Sequence, residues 1–355
     1  MLIGIDANEA NVEKRVGSNV YAFEVLWQLY RQDKTNDYLI YLSQPPMSDL
    51  PKAGKRWQYK VLTPGTLWTQ WRLPLSLYFD RPRPDLFLTL GHYAPRFSPV
   101  PTMVCIMDLA FLKFPETFRS RDLWQLQSWT QYSVRKAARI FVISQATKKD
   151  VMKAYGIADS KITVAYPGVK RLSAVGKNPV AGKYLLYVGT LQPRKNIKAL
   201  IDAFKNLNPV GMKLVIAGKT GWKYQPKPEA NIKYLGFVPQ EKLAALIKGA
   251  VGLALPSLYE GFGIPVVQAM SLGTPVLVSR NSSLPEIVGN AGLYIEAPFD
   301  AEAINAGLNK LLSLPADQRQ KLTASAKLRA AKFTWKKAGQ VILETMVKYR
   351  DELTV

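Results

Sequence analysis

Short apolar runs alternate along this chain with helical segments, the pattern of strands and crossover helices in a parallel α/β architecture. In the first half the runs that read as strands are 2–6, 38–42, 85–90, 103–107, 140–144 and 162–166. After Tyr166, Pro167, Gly168 and Val169, a polar stretch containing Gly and Pro continues to Gly182 and has the composition of an interdomain linker. A second series follows at 184–189, 213–218, 232–237, 252–256, 275–279 and 292–296, and residues 301–353 read as helix throughout. The two series are successive, similar α/β halves, with no short-period repeat or low-complexity tract. At 355 residues the chain is too long for one typical domain and suits two.

Composition narrows this picture. Apolar residues make up 48% of the chain, enough for two sizeable cores. The single cysteine, Cys105, lies in the apolar run 102–107 and has no second thiol to pair with, so a reducing cytoplasm is expected. The chain opens directly on a strand, without the basic and apolar regions of a signal peptide. No apolar run is long enough to cross a bilayer. A soluble or peripheral protein is the expectation.

Charge adds a question. Lys and Arg number 48 against 26 Asp and Glu, a formal net charge of +22. The cations are spread along the whole chain rather than gathered in a tail, and no aromatic-basic RNA-binding motif stands out, so no nucleic acid partner is expected. Attraction to an anionic membrane and a general compositional bias are the remaining readings. Segment 118–139, with Trp124, Trp129, Arg135, Lys136 and Arg139, has the content of an interfacial helix. It reads equally well as a helix whose Leu, Trp and Val pack on a sheet while its cations are solvated.

The chemistry concentrates at 256–276. Here a strand end leads through Glu260, Gly261, Phe262 and Gly263 into a short helix that Gly273 stops, before another buried strand begins. A strand, a Gly-Phe-Gly turn and a helix N-terminus together form a cradle of backbone N–H groups suited to an anion. Pro265 fits the first helical turn, where its missing N–H is not needed. An ordinary strand-to-helix connection accounts for the glycines but not for a carboxylate at the mouth of an anion site. Gly189, Thr190, Pro193, Arg194, Lys195 and Asn196 similarly follow a strand and open a helix. Two adjacent cations there can offset the negative charge that develops on a departing diphosphate, Arg bidentately and Lys as a point charge.

These stretches resemble retaining glycosyltransferases of family 4, strongly over 184–296 and more loosely before Asp85. The resemblance implies a GT-B fold: two Rossmann-like domains with parallel sheets facing a central cleft, and a last helix that crosses back to the first domain from near Phe333 and Trp335. It places an acceptor-side domain at 1–168, completed by a helix at 334–355, and a nucleotide-sugar-binding domain at 169–333. It implies a metal-independent hexosyltransferase that needs no cofactor beyond its co-substrate, a GDP- or UDP-linked sugar. The wording of 189–197 and 217–222 is most similar to mannosyltransferase-type members, so GDP-mannose is the first choice. The expected acceptor is a lipid-linked or growing surface glycan, and the positive charge fits a peripheral enzyme on the inner face of the membrane.

The resemblance also assigns residues. Arg194 and Lys195 would contact the donor diphosphate. Glu260, the first glutamate of the family's Glu-x7-Glu signature, would contact the transferred sugar. The second position is Gln268 instead, which keeps an acceptor oxygen, loses the charge and adds donors, so altered nucleotide binding is expected there. Gly261, Phe262, Gly263 and Ile264 would offer backbone N–H groups. Gly17 and Ser18 are similar to the glycine loop of the first domain, Lys219 lies in a loop after a strand beside Trp222, and Phe237 with Val238 would flank the base. Ser283 and Glu286 match a family segment but also have capping-box spacing and suit a helix start. Met107 stands where a family His-Asp-Leu segment has histidine, which leaves Asp108 as the polar candidate there. His92, the chain's only histidine, follows another strand end, and Trp68 and Trp71 could line an acceptor groove or simply begin a packed helix. Two other functions fit the same pattern: a nucleotide-sugar epimerase of this fold, and a non-catalytic partner subunit, which Gln268 and Met107 suggest.

Overall fold

The computed structural model describes residues 1–169, 178–221, 227 and 229–353. The chain divides into two units, Met1–Gly168 joined by the stretch from Thr334 on, and Val169–Phe333.

The strands of the first unit are β1 (Leu2–Asp6), β2 (Asp37–Leu42), β3 (Trp57–Val61), β4 (Leu86–Thr89), β5 (Thr102–Ile106), β6 (Arg139–Val142) and β7 (Ile162–Val164). Its helices up to the boundary are α1 (Ser18–Gln32), α2 (Leu73–Phe79), α3 (Ala110–Lys113), α4 (Ser120–Lys136) and α5 (Gln145–Tyr155). All seven strands are parallel, in the order β3-β2-β1-β4-β5-β6-β7. The inner strands β4, β5 and most of β6 are buried along their length, which is why they read as continuous apolar runs. Strand β3 escapes the sequence reading. At the sheet edge only one of its faces is covered, so Trp57, Gln58, Tyr59 and Lys60 give no apolar run.

The second unit contains β8 (Lys183–Val188), β9 (Met212–Ala217), β10 (Ile232–Gly236), β11 (Gly252–Leu255), β12 (Val276–Ser279) and β13 (Leu293–Ile295). Its helices are α6 (Ile197–Leu207), α7 (Gln240–Lys248), α8 (Ile264–Leu272), α9 (Leu284–Val288), α10 (Ala301–Leu312) and α11 (Ala316–Ala330). The sheet is again wholly parallel, in the order β10-β9-β8-β11-β12-β13. Leu185, Leu214, Leu253 and Leu277 are fully buried in it, and Leu200 and Phe204 of α6 and Val266 and Met270 of α8 are buried with them.

The chain then returns. Helix α12 (Trp335–Leu353) packs along α1 in the first unit, with Tyr21 and Trp335 edge-to-face at 5.9 Å and Gln32 Nε2 donating to the Lys336 carbonyl at 3.0 Å. In each sheet the chain winds outward in both directions from two neighbouring strands, β1/β4 and β8/β11. Crevices for ligands form outside the carboxyl ends of strands at such switch points.

Candidate active site

In the second unit the loops that follow β8 and β11 start side by side because those strands are neighbours. The first runs through Gly189 and Thr190 to a single 3₁₀ turn, Pro193–Lys195, and into α6. The second runs from Ser257 to Gly263 and into α8. They are tied together at three levels. The Leu258 N–H donates to the Arg194 carbonyl at 2.8 Å. Arg194 Nη1 donates to the Tyr259 carbonyl at 3.0 Å. Lys195 Nζ donates to both carboxylate oxygens of Glu260, at 2.6 and 2.5 Å.

Glu260 is held from every side. Ser257 Oγ donates to its Oε1 at 2.7 Å, and its own N–H donates to Ser282 Oγ at 2.8 Å. The Ser283 hydroxyl, fully buried, is shared between the carbonyls of Glu260 and Phe262 at 2.9 and 3.1 Å. This corrects the capping-box expectation. Ser283 does precede α9, but its side chain makes no cap there and braces the Glu260 turn instead. Ser257 was given no role from sequence and Ser282 was noted only as part of the family-like stretch with Ser283, because serine in a turn carries no signal of its partner until the third strand end, after β12, is known to lie beside the second.

The entry to α8 remains open to an anion. Gly263 has φ +101, a conformation suited to glycine, and α8 has no side-chain cap. The N–H groups of Gly261, Gly263 and Ile264 donate to nothing among the described residues. The bonds to these groups that a helix start normally lacks are those an incoming phosphate or sugar hydroxyl supplies. One turn on, Gln268 is buried, and its side-chain amide has no hydrogen bond among the described residues.

The neighbouring strand ends complete this edge. Gly218, after β9, packs on the loop after β8 so closely that a Cβ would lie 1.9 Å from the Gly189 carbonyl oxygen. Only glycine permits that approach. Beyond it Lys219 Nζ stands 5.3 Å over the exposed ring of Phe237, which follows β10 next to Val238. Trp222 lies outside the described residues. The structure thus assembles Gly189, Thr190, Arg194, Lys195, Lys219, Phe237, Val238, 260–264 and Gln268 on the carboxyl edge of one sheet.

The first unit places its candidates on the corresponding edge of its own sheet. Asp6 ends β1, where Trp68 Nε1 donates to its Oδ2 at 2.8 Å and the Asn8 amide to its Oδ1 at 3.0 Å. Burial nonetheless raises the Asp6 carboxyl from 3.8 to about 6, the indole and Asn8 bonds only partly offsetting it. Glu9 lies just beyond, its carboxylate also raised by burial, and accepts from Asn19 at 2.7 Å beside Gly17 and Ser18. Neither carboxylate was singled out from sequence. Asp6, the charged end of an apolar strand, was the available signal.

His92 accepts from the Met107 N–H through Nε2 at 3.1 Å, and Asp108 accepts from the Ala110 N–H at 2.9 Å. Nδ1 of His92 therefore carries the proton; it is buried and has no acceptor among the described residues. Desolvation lowers the His92 pKa, so the ring is neutral, although Asp108 pulls the other way. His92 thus reaches the backbone at the position where sequence showed only Met107. Trp68 is spent on Asp6, whereas Trp71 stands 62% exposed. In helix α4, Leu123, Leu126 and Val134 pack into the core with Val104 and Ile140, as the packing reading of 118–139 expects, whereas Trp124 is widely exposed. Among the described residues no three His, Cys, Asp or Glu side chains are grouped to hold a metal ion, and no helix is long and apolar enough to cross a membrane.

Two family models match this chain: glycosyltransferase family 4 over residues 17–171 and glycosyl transferases group 1 over 170–329. An Escherichia coli protein described as O-antigen chain mannosyltransferase B is 32% identical over 251 residues, covering 64% of this chain and 65% of that protein. The match thus spans less than two thirds of that relative's own length. Among solved structures, sucrose-phosphate synthase from Thermosynechococcus elongatus superposes with a TM-score of 0.74 at 17% identity, over 99% of both chains. Anabaena HepE in complex with UDP-glucose gives 0.70 at 18% identity, over 98% of this chain and 99% of that one. With two wholly parallel α/β sheets and these neighbours, the fold is GT-B.

Proposed function

Because the chain belongs to glycosyltransferase family 4, we propose that it is a metal-independent hexosyltransferase that retains the anomeric configuration of its donor. The donor is a nucleoside-diphosphate sugar and the acceptor a lipid-linked or surface glycan. The observation that carries this reading is the partly buried Lys195–Glu260 pair, set beside Arg194 and the open N–H groups that lead into α8.

Breaking the bond between the anomeric carbon and the diphosphate leaves negative charge on phosphate and positive character on the sugar. Arg194, Lys195 and the N–H groups of Gly261, Gly263 and Ile264 supply preorganised positive potential for the first. Glu260 supplies the matching negative charge for the second. The new bond forms on the face the diphosphate leaves, which is what retention requires. Lys219 and Phe237 form the rim on which a nucleotide base stacks, and Gln268 offers its unpaired amide to the ribose.

Mannose from GDP-mannose is the first choice, since the relative with 32% identity is described as a mannosyltransferase; a UDP-sugar is the second, as in the HepE complex. A lipid-linked acceptor places the protein in the cytoplasm, on the inner face of the membrane, where a net charge of +22 favours anionic lipid. The test is to incubate the purified protein with each donor and a lipid-linked glycan fraction, then read the product by mass spectrometry and its anomeric configuration by NMR. One donor should give a product with the donor's own configuration. Turnover of free nucleotide-sugar to an epimer without acceptor would overturn the reading.

A further inference from the structure

Helix α11 has little apolar surface with which to dock. Of its 15 residues only Ala326 and Ala330 are buried, yet it lies along α8. Two arginines fix it by gripping backbone carbonyls. Near its start Arg319 donates to the Val251 carbonyl at 2.6 Å and to the Leu311 carbonyl at 3.1 Å. At its end Arg329 donates through Nε to the Ile287 carbonyl at 3.0 Å and through Nη2 to the Glu286 carbonyl. Those two carbonyls lie in the last turn of α9, where a helix offers them no partner of its own. Among the described residues Arg329 pairs with no carboxylate, so its guanidinium serves these carbonyls alone.

Helix α9 has only 5 residues, too few to stand alone in water. The residues at its start nonetheless hold the Glu260 turn. Ser282 Oγ accepts the Glu260 N–H and donates to the Glu260 carbonyl, both at 2.8 Å, and Ser283 Oγ bridges the carbonyls of Glu260 and Phe262. Leu284 is fully buried beside Gly263, where a Cβ would lie 3.0 Å from its Cδ2. A second route from Arg329 to the same turn is aromatic. The guanidinium stands 5.8 Å over the ring of Phe333, which meets Phe262 edge-to-face at 5.4 Å. Both rings are buried. The Phe333 backbone is pinned as well, its N–H donating to the Ala330 carbonyl at 3.0 Å and its carbonyl accepting from the Val169 N–H at 3.3 Å.

We propose that Arg329 is a positioning residue for Glu260. By capping α9 on one side and standing over Phe333 on the other, it braces the Glu260 turn from two directions without itself touching sugar or phosphate. A planar guanidinium suits this task, because its fork takes two successive carbonyls at once, whereas a lysine ammonium is a point charge. Small displacements of a reacting geometry are costly: about 1 Å lowers a rate by about 100-fold. The effect on transfer rests on the proposed function. The rigidity of the turn is read without donor or acceptor, so failure of this brace and failure of sugar transfer are separate results.

The experiment compares the wild type with Arg329→Ala, Arg329→Lys and Phe333→Leu. In the ligand-free proteins, amide hydrogen exchange over 257–264 should be about tenfold faster in Arg329→Ala than in the wild type, with exchange over β8 and β9 unchanged. In steady-state kinetics kcat should fall by about 10- to 100-fold. The donor KM should stay within about twofold, since the diphosphate contacts remain. Arg329→Lys should recover only a small part of both effects. Phe333→Leu keeps a buried apolar side chain but removes the ring, and should move exchange and kcat the same way by a smaller factor. It carries the test if Arg329→Ala does not fold. Unchanged exchange over 257–264, acceleration spread evenly through the second unit, or an activity loss carried by KM overturns the proposal. So does full recovery by Arg329→Lys, since a point charge would then suffice.

Discussion

Lys195 and Glu260, 65 positions apart, form a partly buried ion pair in which one ammonium reaches both oxygens of a buried carboxylate. Pairing makes two charges tolerable where water is largely excluded, and removing either partner leaves the other uncompensated, at a typical cost of about 3–5 kcal/mol. The pair also presets the site. The cation expected to meet the leaving diphosphate and the carboxylate expected to meet the sugar hold each other in place before substrate arrives, with Ser257, Ser282 and Ser283 fixing the carboxylate's turn.

Glu260→Gln separates the two roles. Its amide keeps an acceptor for Lys195 but lacks the negative charge that steadies the sugar. Steady-state kinetics should show kcat lower by about 100- to 1,000-fold, the usual cost of losing one electrostatic stabiliser. Nucleoside-diphosphate affinity should hold or rise by titration calorimetry, because Lys195 is released toward phosphate. Unchanged kcat would remove Glu260 from the chemistry.

Gln268→Glu tests the ribose contact. A carboxylate buried there without a partner should lower the melting temperature of the free protein. A charged acceptor for a ribose hydroxyl should strengthen nucleotide binding by about tenfold, the equivalent of one charge-assisted hydrogen bond. The ligand-induced thermal shift should therefore be larger in the variant than in the wild type. A smaller shift would place position 268 away from the nucleotide.

Asp6 makes stability depend on pH. Burial raises its native carboxyl to about 6 from an ordinary 3.8, so between these values the folded state holds a proton that the unfolded chain has released. Its stabilising contribution is complete below about pH 4 and lost as pH rises through about 6. The loss between pH 4 and 7 comes to about 2 kcal/mol. Urea unfolding at both pH values should show the wild type losing about 2 kcal/mol more than Asp6→Asn, whose remaining pH dependence comes from other groups such as Glu9. Parallel curves would mean that Asp6 is ionised throughout the range.

The sheets were largely legible because buried parallel strands are continuous apolar runs, and all twelve runs picked out by sequence fall on observed strands. Several were extended one residue too far, to Gly189, Gly218, Phe237 and Pro256. These residues leave the ladder to begin the loops that carry the site. Trp57–Val61 was invisible because an edge strand with one covered face lacks such a run. Arg194, Lys195 and Glu260 could be named from their turns, but their pairing could not: it depends on β8 lying beside β11, a matter of topology rather than local pattern. Likewise His92 and Met107 meet only because β4 and β5 are adjacent. Ser283 shows the reverse case, a local capping signal overridden when a tertiary neighbour offered its hydroxyl better partners.

The most direct test of the donor site is thermal unfolding of the wild type and Arg194→Ala, without added metal, against GDP-, UDP-, ADP- and TDP-sugars. A ligand that binds only the folded state raises the melting temperature, by an amount that tracks its affinity. One nucleotide should shift the wild type clearly, and the same ligand should shift Arg194→Ala much less, measured from that variant's own free state. No shift with any donor at millimolar concentration, or equal shifts in both proteins, would contradict a diphosphate site built on Arg194, Lys195 and Glu260.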